Sequence, residues 1–280
     1  MMINKLKNNF FSVLSALCFS TALILLIFLA LENRLKQVID YSFLTTISCT
    51  QTPQEFHNHV VDHLVTTSWH HIEAQIKITF NDCQDYVTEH EAIMKFMKEK
   101  STREKKAQTS LSRQTAALIK EVLVDFNISP NSIDIIADNA LESSAAADAY
   151  AIYINETNFN RYSYEAQRFI IAHEIAHFKN KDSSLHIALG DLSRMHFAYF
   201  DTKPCVTYLC HAHEHRADMD AMLKSLEYTK AGIMFFHEVL DRNGDNYCAS
   251  HPRPSDRLKI AKMMEALYLK QQASSARGMA

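Results

Sequence analysis

The sequence of 280 residues contains only 4 glycines and has no segment dominated by basic residues. The scarcity of glycine argues against a turn-rich all-β protein, and 47% hydrophobic with 22% charged residues argues against a disordered chain. The net charge of −3, without a basic stripe or glycines interleaved with aromatic residues, argues against nucleic-acid binding. The composition therefore favours a helix-rich globular protein with one core and room for an accessory region.

The cysteines do not form a dense framework. One of the 6 cysteines, Cys18, lies in an apolar N-terminal run, which leaves an odd number elsewhere. This count is not typical of a small disulfide-rich domain. Cys205 and Cys210, which lie close together in the sequence, either form a disulfide in an oxidising compartment or are ordinary buried thiols.

The N-terminal run, residues 10–31 (FFSVLSALCFSTALILLIFLAL), contains no charged residue. As a helix it would span about 33 Å, the thickness of the hydrocarbon core of a bilayer. Because the run is apolar on every side, it predicts a membrane anchor, with a signal peptide cleaved near Ser20-Thr21-Ala22 as the alternative. Basic residues on the two sides are nearly balanced, and their slight excess before the run favours a cytoplasmic N-terminus, with the rest of the chain on the non-cytoplasmic side.

The rest of the chain divides by its pattern of polarity. Residues 1–9 are a short N-terminal cap, residues 32–113 predict a helical accessory region that ends in a charged linker at 98–113, and residues 114–275 predict the main domain. Within that domain the pattern predicts a helix over 118–126, β-strands over 132–137 and 149–155, and a long helix with Ser163 as its N-cap.

A histidine pair lies in this long helix, within RFIIAHEIAHFKN at 168–180. On an α-helix, His173 and His177 lie one turn apart and about 40° from each other around the axis, so both imidazoles can bind one ion. Glu174 projects beside them, where its carboxylate can reach a water molecule on that ion. This H-E-x-x-H spacing is typical of zinc-assisted hydrolysis.

A catalytic zinc site needs a third protein ligand and an open position for water. The stretch CHAHEHRADMDAMLKSL at 210–226 predicts a second helix with Glu214 and Asp218 on one face. We expect Glu214 to be the third ligand and Asp218, one turn later, to accept the far ring N–H of a ligating histidine. The alternatives to Glu214 at the third position are the neighbouring residues His211, His213 and His215, and Cys210 is a residue that would join them as a ligand.

The pair HEIAH at 173–177 and EHRAD at 214–218 resembles the H-E-x-x-H and E-x-x-A-D motifs of the gluzincin family that contains HtpX, the CAAX prenyl protease and the Oma-type proteases. The resemblance extends to AIYIN upstream and SHPRPSDRL downstream and covers residues 118–267. It implies an α+β, mostly helical fold: a zincin-like metallopeptidase domain with a small β-sheet, here preceded by an N-terminal transmembrane helix. It also implies a membrane-associated zinc endopeptidase with one zinc ion per chain. Charged residues between the motifs argue against a membrane span there, so prenyl-protein processing in a membrane chamber is not expected.

The resemblance suggests a role for each side chain around the ion. Glu174 is expected to take a proton from the attacking water and pass it to the leaving nitrogen. By its position in the family motif, His251 is the candidate donor to the developing oxyanion. Arg257 is the alternative donor, or it ties the C-terminal helix to the site.

Two further stretches of the sequence each allow two interpretations. The alternating strand at 149–155 predicts an edge strand that binds extended substrate through Ala151 and Tyr153, with an ordinary core strand as the alternative. The stretch HNHVVDH places His59 and His63 four residues apart but lacks a glutamate after the first histidine. We interpret it as a solvated polar face, with an accessory metal site as the alternative.

The sequence therefore predicts a membrane-anchored zinc-dependent endopeptidase that acts on protein or peptide substrates. A non-catalytic, membrane-anchored adaptor that binds zinc is one alternative. A regulator-cleaving zinc protease of the ImmA type, which shares the first motif, is another.

Overall fold

The computed structural model describes residues 41–46, 52–79, 111–148, 151–180, 182, 203–246 and 251–277. The predicted cap at 1–9, the predicted anchor at 10–31 and nearly all of the predicted linker at 98–113 lie outside these ranges. Within them, no helix has the length and apolar character needed to cross a bilayer.

The described residues form a mostly helical α+β fold with a small sheet, as predicted. A 3₁₀ turn at Tyr41–Thr46 precedes the first α-helix. The elements that follow are, in chain order, α1 (Pro53–Thr79), α2 (Arg113–Asp125), β1 (Asp134–Ala137), β2 (Ala145–Ala147), β3 (Ala151–Ile154), α3 (Glu156–Phe159), α4 (Tyr164–Asn180), α5 (Lys203–Leu223), α6 (Leu226–Asn243) and α7 (Pro254–Arg277).

Helix α4 begins where the sequence predicts. The Ser163 hydroxyl accepts a hydrogen bond from the backbone N–H of Ala166 at 3.3 Å, and Glu165 lies in the first turn. The side chain thus satisfies one of the N–H groups that a helix start leaves without a partner, and the acidic residue complements the helix dipole. Residues 169–177 are all buried, so α4 is the central helix of the fold.

The sheet corrects one prediction from the sequence. Its strand order is β1-β3-β2, with β3 parallel to β1 and antiparallel to β2. Because β3 is hydrogen-bonded on both sides, it is not an edge strand, and the prediction that Ala151 and Tyr153 pair with a substrate is wrong. Ala151 is buried, and the Tyr153 hydroxyl donates to Asp148 at 2.8 Å.

Helix α6 packs against the central helix α4 and encloses part of the core. A Cβ atom at Gly232 would lie 2.7 Å from the Phe169 ring, closer than van der Waals contact allows. The glycine therefore lets the two helices approach closely. Phe169 also packs edge-on against Phe236, with ring centroids 5.5 Å apart.

Helix α1 packs along α5, the helix that carries Glu214. Its buried stripe has helical spacing and consists of Phe56, Val60 and Leu64. At the polar margin of this contact the His57 ring donates from Nε2 to the Asp220 carboxylate at 2.6 Å. Part of the region at 32–113 is therefore packed directly against the main domain.

We expect the His57 contact to depend on pH. Burial lowers the pKa of His57, but hydrogen bonds to Asp220 and Asn58 and the nearby carboxylate charges raise it, and the net pKa lies above the ordinary 6.5. The charged ring therefore stabilises the fold fully below about pH 6.5, and this contribution is lost as the pH rises through the raised pKa. At about pH 6, His57→Gln should lower the free energy of unfolding by up to about 1 kcal/mol.

The measurement is chemical denaturation of wild type and His57→Gln, with EDTA present, at about pH 6 and about pH 9. The difference between the two proteins should shrink at the higher pH. A difference that grows with pH would contradict this account of the contact.

Candidate metal centre

Three buried side chains from two helices converge at one point. The Nε2 atoms of His173 and His177 on α4 lie 2.9 Å apart. The Glu214 carboxylate on α5 lies 3.3 Å from His173 Nε2 and 3.2 Å from His177 Nε2. The three potential ligand atoms all lie within 4.8 Å of one another, and each residue is 8% exposed. The structure thus brings together the three residues predicted as ligands.

The donor chemistry of this cluster fits a cation. His173 Nδ1 lies 2.9 Å from Asp218 Oδ1, and His177 Nδ1 lies 2.9 Å from Asp182 Oδ2. With the ring hydrogens on the Nδ1 atoms, both Nε2 lone pairs face each other and the Glu214 carboxylate. Glu214 Oε2 also has no hydrogen-bond partner among the described residues. The Arg257 guanidinium lies 3.4 Å from this oxygen. A positive charge between the two imidazoles and the carboxylate, either a proton or a metal ion, would stabilise this group of acceptors further.

The electrostatics agree with this reading. Burial raises the pKa of Glu214, but the charges of His251, His177 and His173 outweigh it and hold that pKa well below its usual range. Burial lowers the pKa of His177, yet Glu214 and Asp182 raise it well above its usual range. The site therefore keeps its carboxylate ionised and favours bound positive charge.

Behind His173 lies the residue pair Asp218 and Arg257. The Arg257 guanidinium donates to both carboxylate oxygens of Asp218, with two bonds of 2.7 Å. Burial raises the pKa of Asp218, but the charge of Arg257 and its hydrogen bonds lower it to about 2. Arg257 is buried in this contact. Of its two predicted roles, donor to the oxyanion or link between the C-terminal helix and the site, the structure shows the link, because Arg257 belongs to α7.

Asp182 is a residue that the sequence analysis missed. It is 1% exposed, accepts a hydrogen bond from His177 Nδ1 at 2.9 Å, and is also bound by Arg216 of α5. His213 Nδ1 lies 3.6 Å from its other oxygen. Burial raises the pKa of Asp182, but His177, His213 and Arg216 bring it below its usual value. Asp182 is thus the counterpart of Asp218, one carboxylate for each histidine.

Two of the alternative third ligands, His213 and His215, make contacts away from the cluster. His213 faces Asp182, and the His215 ring contacts the Tyr41 hydroxyl. Cys210 is a free thiol, and burial together with the charge of Glu214 raises its pKa to about 12, which keeps it neutral. Across the described ranges, no second group of three potential ligands occurs around His59 and His63. The His63 ring instead stacks on Phe43, with centroids 4.1 Å apart.

A cleft of about 730 Å³ opens beside the cluster. Glu174 lines it next to His173, and His251 lines it with Nε2 3.5 Å from Glu214 Oε2 and its side chain 47% exposed. One side of the cleft is the segment 142–145, which leads into strand β2, and the other is α6. Tyr153 does not line this cleft, whereas Ala145 does.

Removal of the Asp182 carboxylate should weaken metal binding. Asp182→Ala leaves the His177 ring without its acceptor and Arg216 without its counter-charge, so we expect the zinc dissociation constant to rise by about 10- to 100-fold. Competition with a chelator of known affinity measures this change. Asp125→Ala, which removes a carboxylate that binds Arg168 and Tyr228, is the matched control and should bind zinc as wild type does. Equal affinities for wild type and Asp182→Ala would show that Asp182 does not support the site.

Comparison with known proteins gives a match to the model of a protein family. Residues 106–205 match the model of peptidase family M48. The matched residues include His173, Glu174 and His177 and end before Glu214, which the fold brings to the two histidines. No curated protein and no solved structure matches the chain. The match covers 100 of the 280 residues and shows a similarity to the M48 metallopeptidases. The buried His-His-Glu cluster provides a group of side chains that can hold a metal ion.

Proposed function

We propose that this protein is a zinc-dependent endopeptidase that hydrolyses peptide bonds in protein substrates. The observation that carries the proposal is the cluster of His173, His177 and Glu214 at the edge of a cleft that Glu174 also lines. We also propose that the protein is similar, within family M48, to HtpX, the CAAX prenyl protease and the Oma-type proteases.

The residues present suit zinc. Two imidazole nitrogens and one carboxylate are a ligand set that catalytic zinc uses, and two further carboxylates orient the imidazoles. These three side chains would hold the zinc ion, which would supply the Lewis acidity that polarises water and the peptide carbonyl. The three side chains are positioned on two packed helices, so little reorganisation is needed to bind the ion.

Glu174 is the proposed proton carrier. It follows His173 on α4, is 8% exposed and faces the cleft. A carboxylate in this place accepts a proton from the attacking water and returns it to the nitrogen of the departing amine. The other carboxylates of the site are already engaged, since Asp182 and Asp218 contact the histidines and bind arginines.

His251 is the proposed donor to the carbonyl oxygen on which charge develops. It lies at the mouth of the cleft, close to Glu214, and is half exposed. A hydrogen-bond donor at this place would stabilise the negative charge that develops on the carbonyl oxygen. The substrate backbone would lie along the segment 142–145 and strand β2, because β3 is enclosed by its two neighbours.

Glu174→Gln separates catalysis from metal binding. We expect this variant to retain one zinc ion per chain, because Glu174 is not a ligand, and to lose at least about 100-fold in the rate of casein cleavage. Glu165→Gln, an exposed change in the first turn of the same helix, is the control and should leave the rate unchanged. The assay needs metal analysis and cleavage rates on the same preparations of the full chain.

The result also decides between an enzyme and a zinc-binding adaptor. An adaptor has no use for a base beside the metal, so wild type would then bind zinc without cleaving any protein substrate offered. Cleavage that persists at the wild-type rate in Glu174→Gln would contradict the proposed role of this residue.

We also propose that residues 10–31 anchor the protein in a membrane, with the catalytic domain on the non-cytoplasmic side. The support is the apolar, bilayer-length sequence of that run. After cell fractionation and an alkaline carbonate wash, the full chain should stay with the membranes, and protease added from the non-cytoplasmic side should digest it. Recovery in the soluble fraction would favour the ImmA-type alternative.

A further inference from the structure

The site is bordered by a part of the chain that precedes the family match. The 3₁₀ turn Tyr41–Thr46 and helix α1 lie before residue 106, where the match begins. Tyr41 of the turn contacts His215 of α5, the residue next to the third metal ligand, and α1 packs along α5. The turn thus lies next to the metal centre, in a region whose role the sequence pattern leaves open.

Tyr41 contacts His215 in two ways. Its hydroxyl lies 2.5 Å from His215 Nε2, and the two rings pack edge-on with centroids 5.4 Å apart. His215 is 1% exposed, and its other ring nitrogen has no hydrogen-bond partner among the described residues. The Tyr41 hydroxyl is thus the polar contact that the structure shows for this buried ring.

The contact fixes the orientation of the His215 ring, because the ring is buried and its other nitrogen has no hydrogen-bond partner among the described residues. A buried ring nitrogen that loses such a partner must find water or change its orientation.

The turn is held in place by contacts of its own. Leu44 is 3% exposed, and Phe43 stacks on His63 of α1. Helix α1 is fixed to α5 by its apolar stripe and by the bond from His57 to Asp220. The position of Tyr41 is thus set by packing that does not involve the metal ligands.

We propose that Tyr41 is a positioning residue of the metal centre: by holding His215 it fixes the rotation of α5 about its axis and keeps the Glu214 carboxylate directed at the two histidines. Successive residues of a helix are 100° apart, so a rotation that moves His215 moves Glu214 with it. Metal ligands tolerate deviations of only a few tenths of an ångström. The inference rests on the proposed function only in needing zinc at this site.

The test is the zinc affinity of the full-length variant Tyr41→Phe, which keeps the ring and removes the hydroxyl. We expect its zinc dissociation constant to rise by about 5- to 10-fold, somewhat less than for a residue that contacts a ligand directly. Tyr164→Phe is the matched control, because it removes a hydroxyl that binds the surface residue Glu121. The control should bind zinc as wild type does.

Thermal unfolding without zinc separates positioning from general stability. A Tyr41→Phe protein that has near wild-type stability when zinc-free, but gains a smaller rise in Tm from zinc, supports the proposal. Unchanged zinc affinity in Tyr41→Phe overturns it, as does a loss shared equally by Tyr164→Phe. The measured quantity is zinc binding and not cleavage. A wild-type protein that binds zinc but cleaves nothing would therefore refute the peptidase proposal, while the zinc affinities of wild type and Tyr41→Phe would still test the role of Tyr41.

Discussion

The structure depends on one electrostatic constraint: two imidazole nitrogens and a carboxylate, all hydrogen-bond acceptors, face one another in a buried place. The Nε2 atoms of His173 and His177 are 2.9 Å apart, and Glu214 lies within 3.3 Å of each. Without a positive charge this arrangement costs several kcal/mol per buried polar group. The fold retains it at the edge of a cleft, where a bound cation can act on a substrate.

The residues around the cluster support both histidines through the same set of contacts. Each histidine has a buried carboxylate at its Nδ1 atom, and each carboxylate is bound by an arginine from another part of the chain, Arg257 for Asp218 and Arg216 for Asp182. These charges compensate one another, so the ligands are orientated without leaving an unpaired carboxylate. Helix α1 and the turn before it complete the support on the side of α5.

Part of the metal site could be predicted from the spacing of residues in the sequence. The histidine pair follows from helical periodicity, and Glu214 follows from a second motif on a predicted helix. Asp182 was missed because a single aspartate after a helix has no periodic partner, and Tyr41 because its contact joins residues 174 positions apart. The alternation of β3 indicates which side chains share a face but not which strands lie beside it, so its central place in the sheet could not be inferred. The sequence predicted a helical region at 32–113, but it did not show that α1 would pack against α5.

The most direct test of the account is the position of the metal itself. Crystals grown with zinc, with anomalous diffraction data collected on both sides of the zinc absorption edge, locate the ion independently of any assay. The account predicts one strong peak per chain, about 2.0–2.2 Å from the Nε2 atoms of His173 and His177 and from a Glu214 oxygen. A peak bound by other residues, or one that the Glu214 carboxylate does not approach, would contradict it.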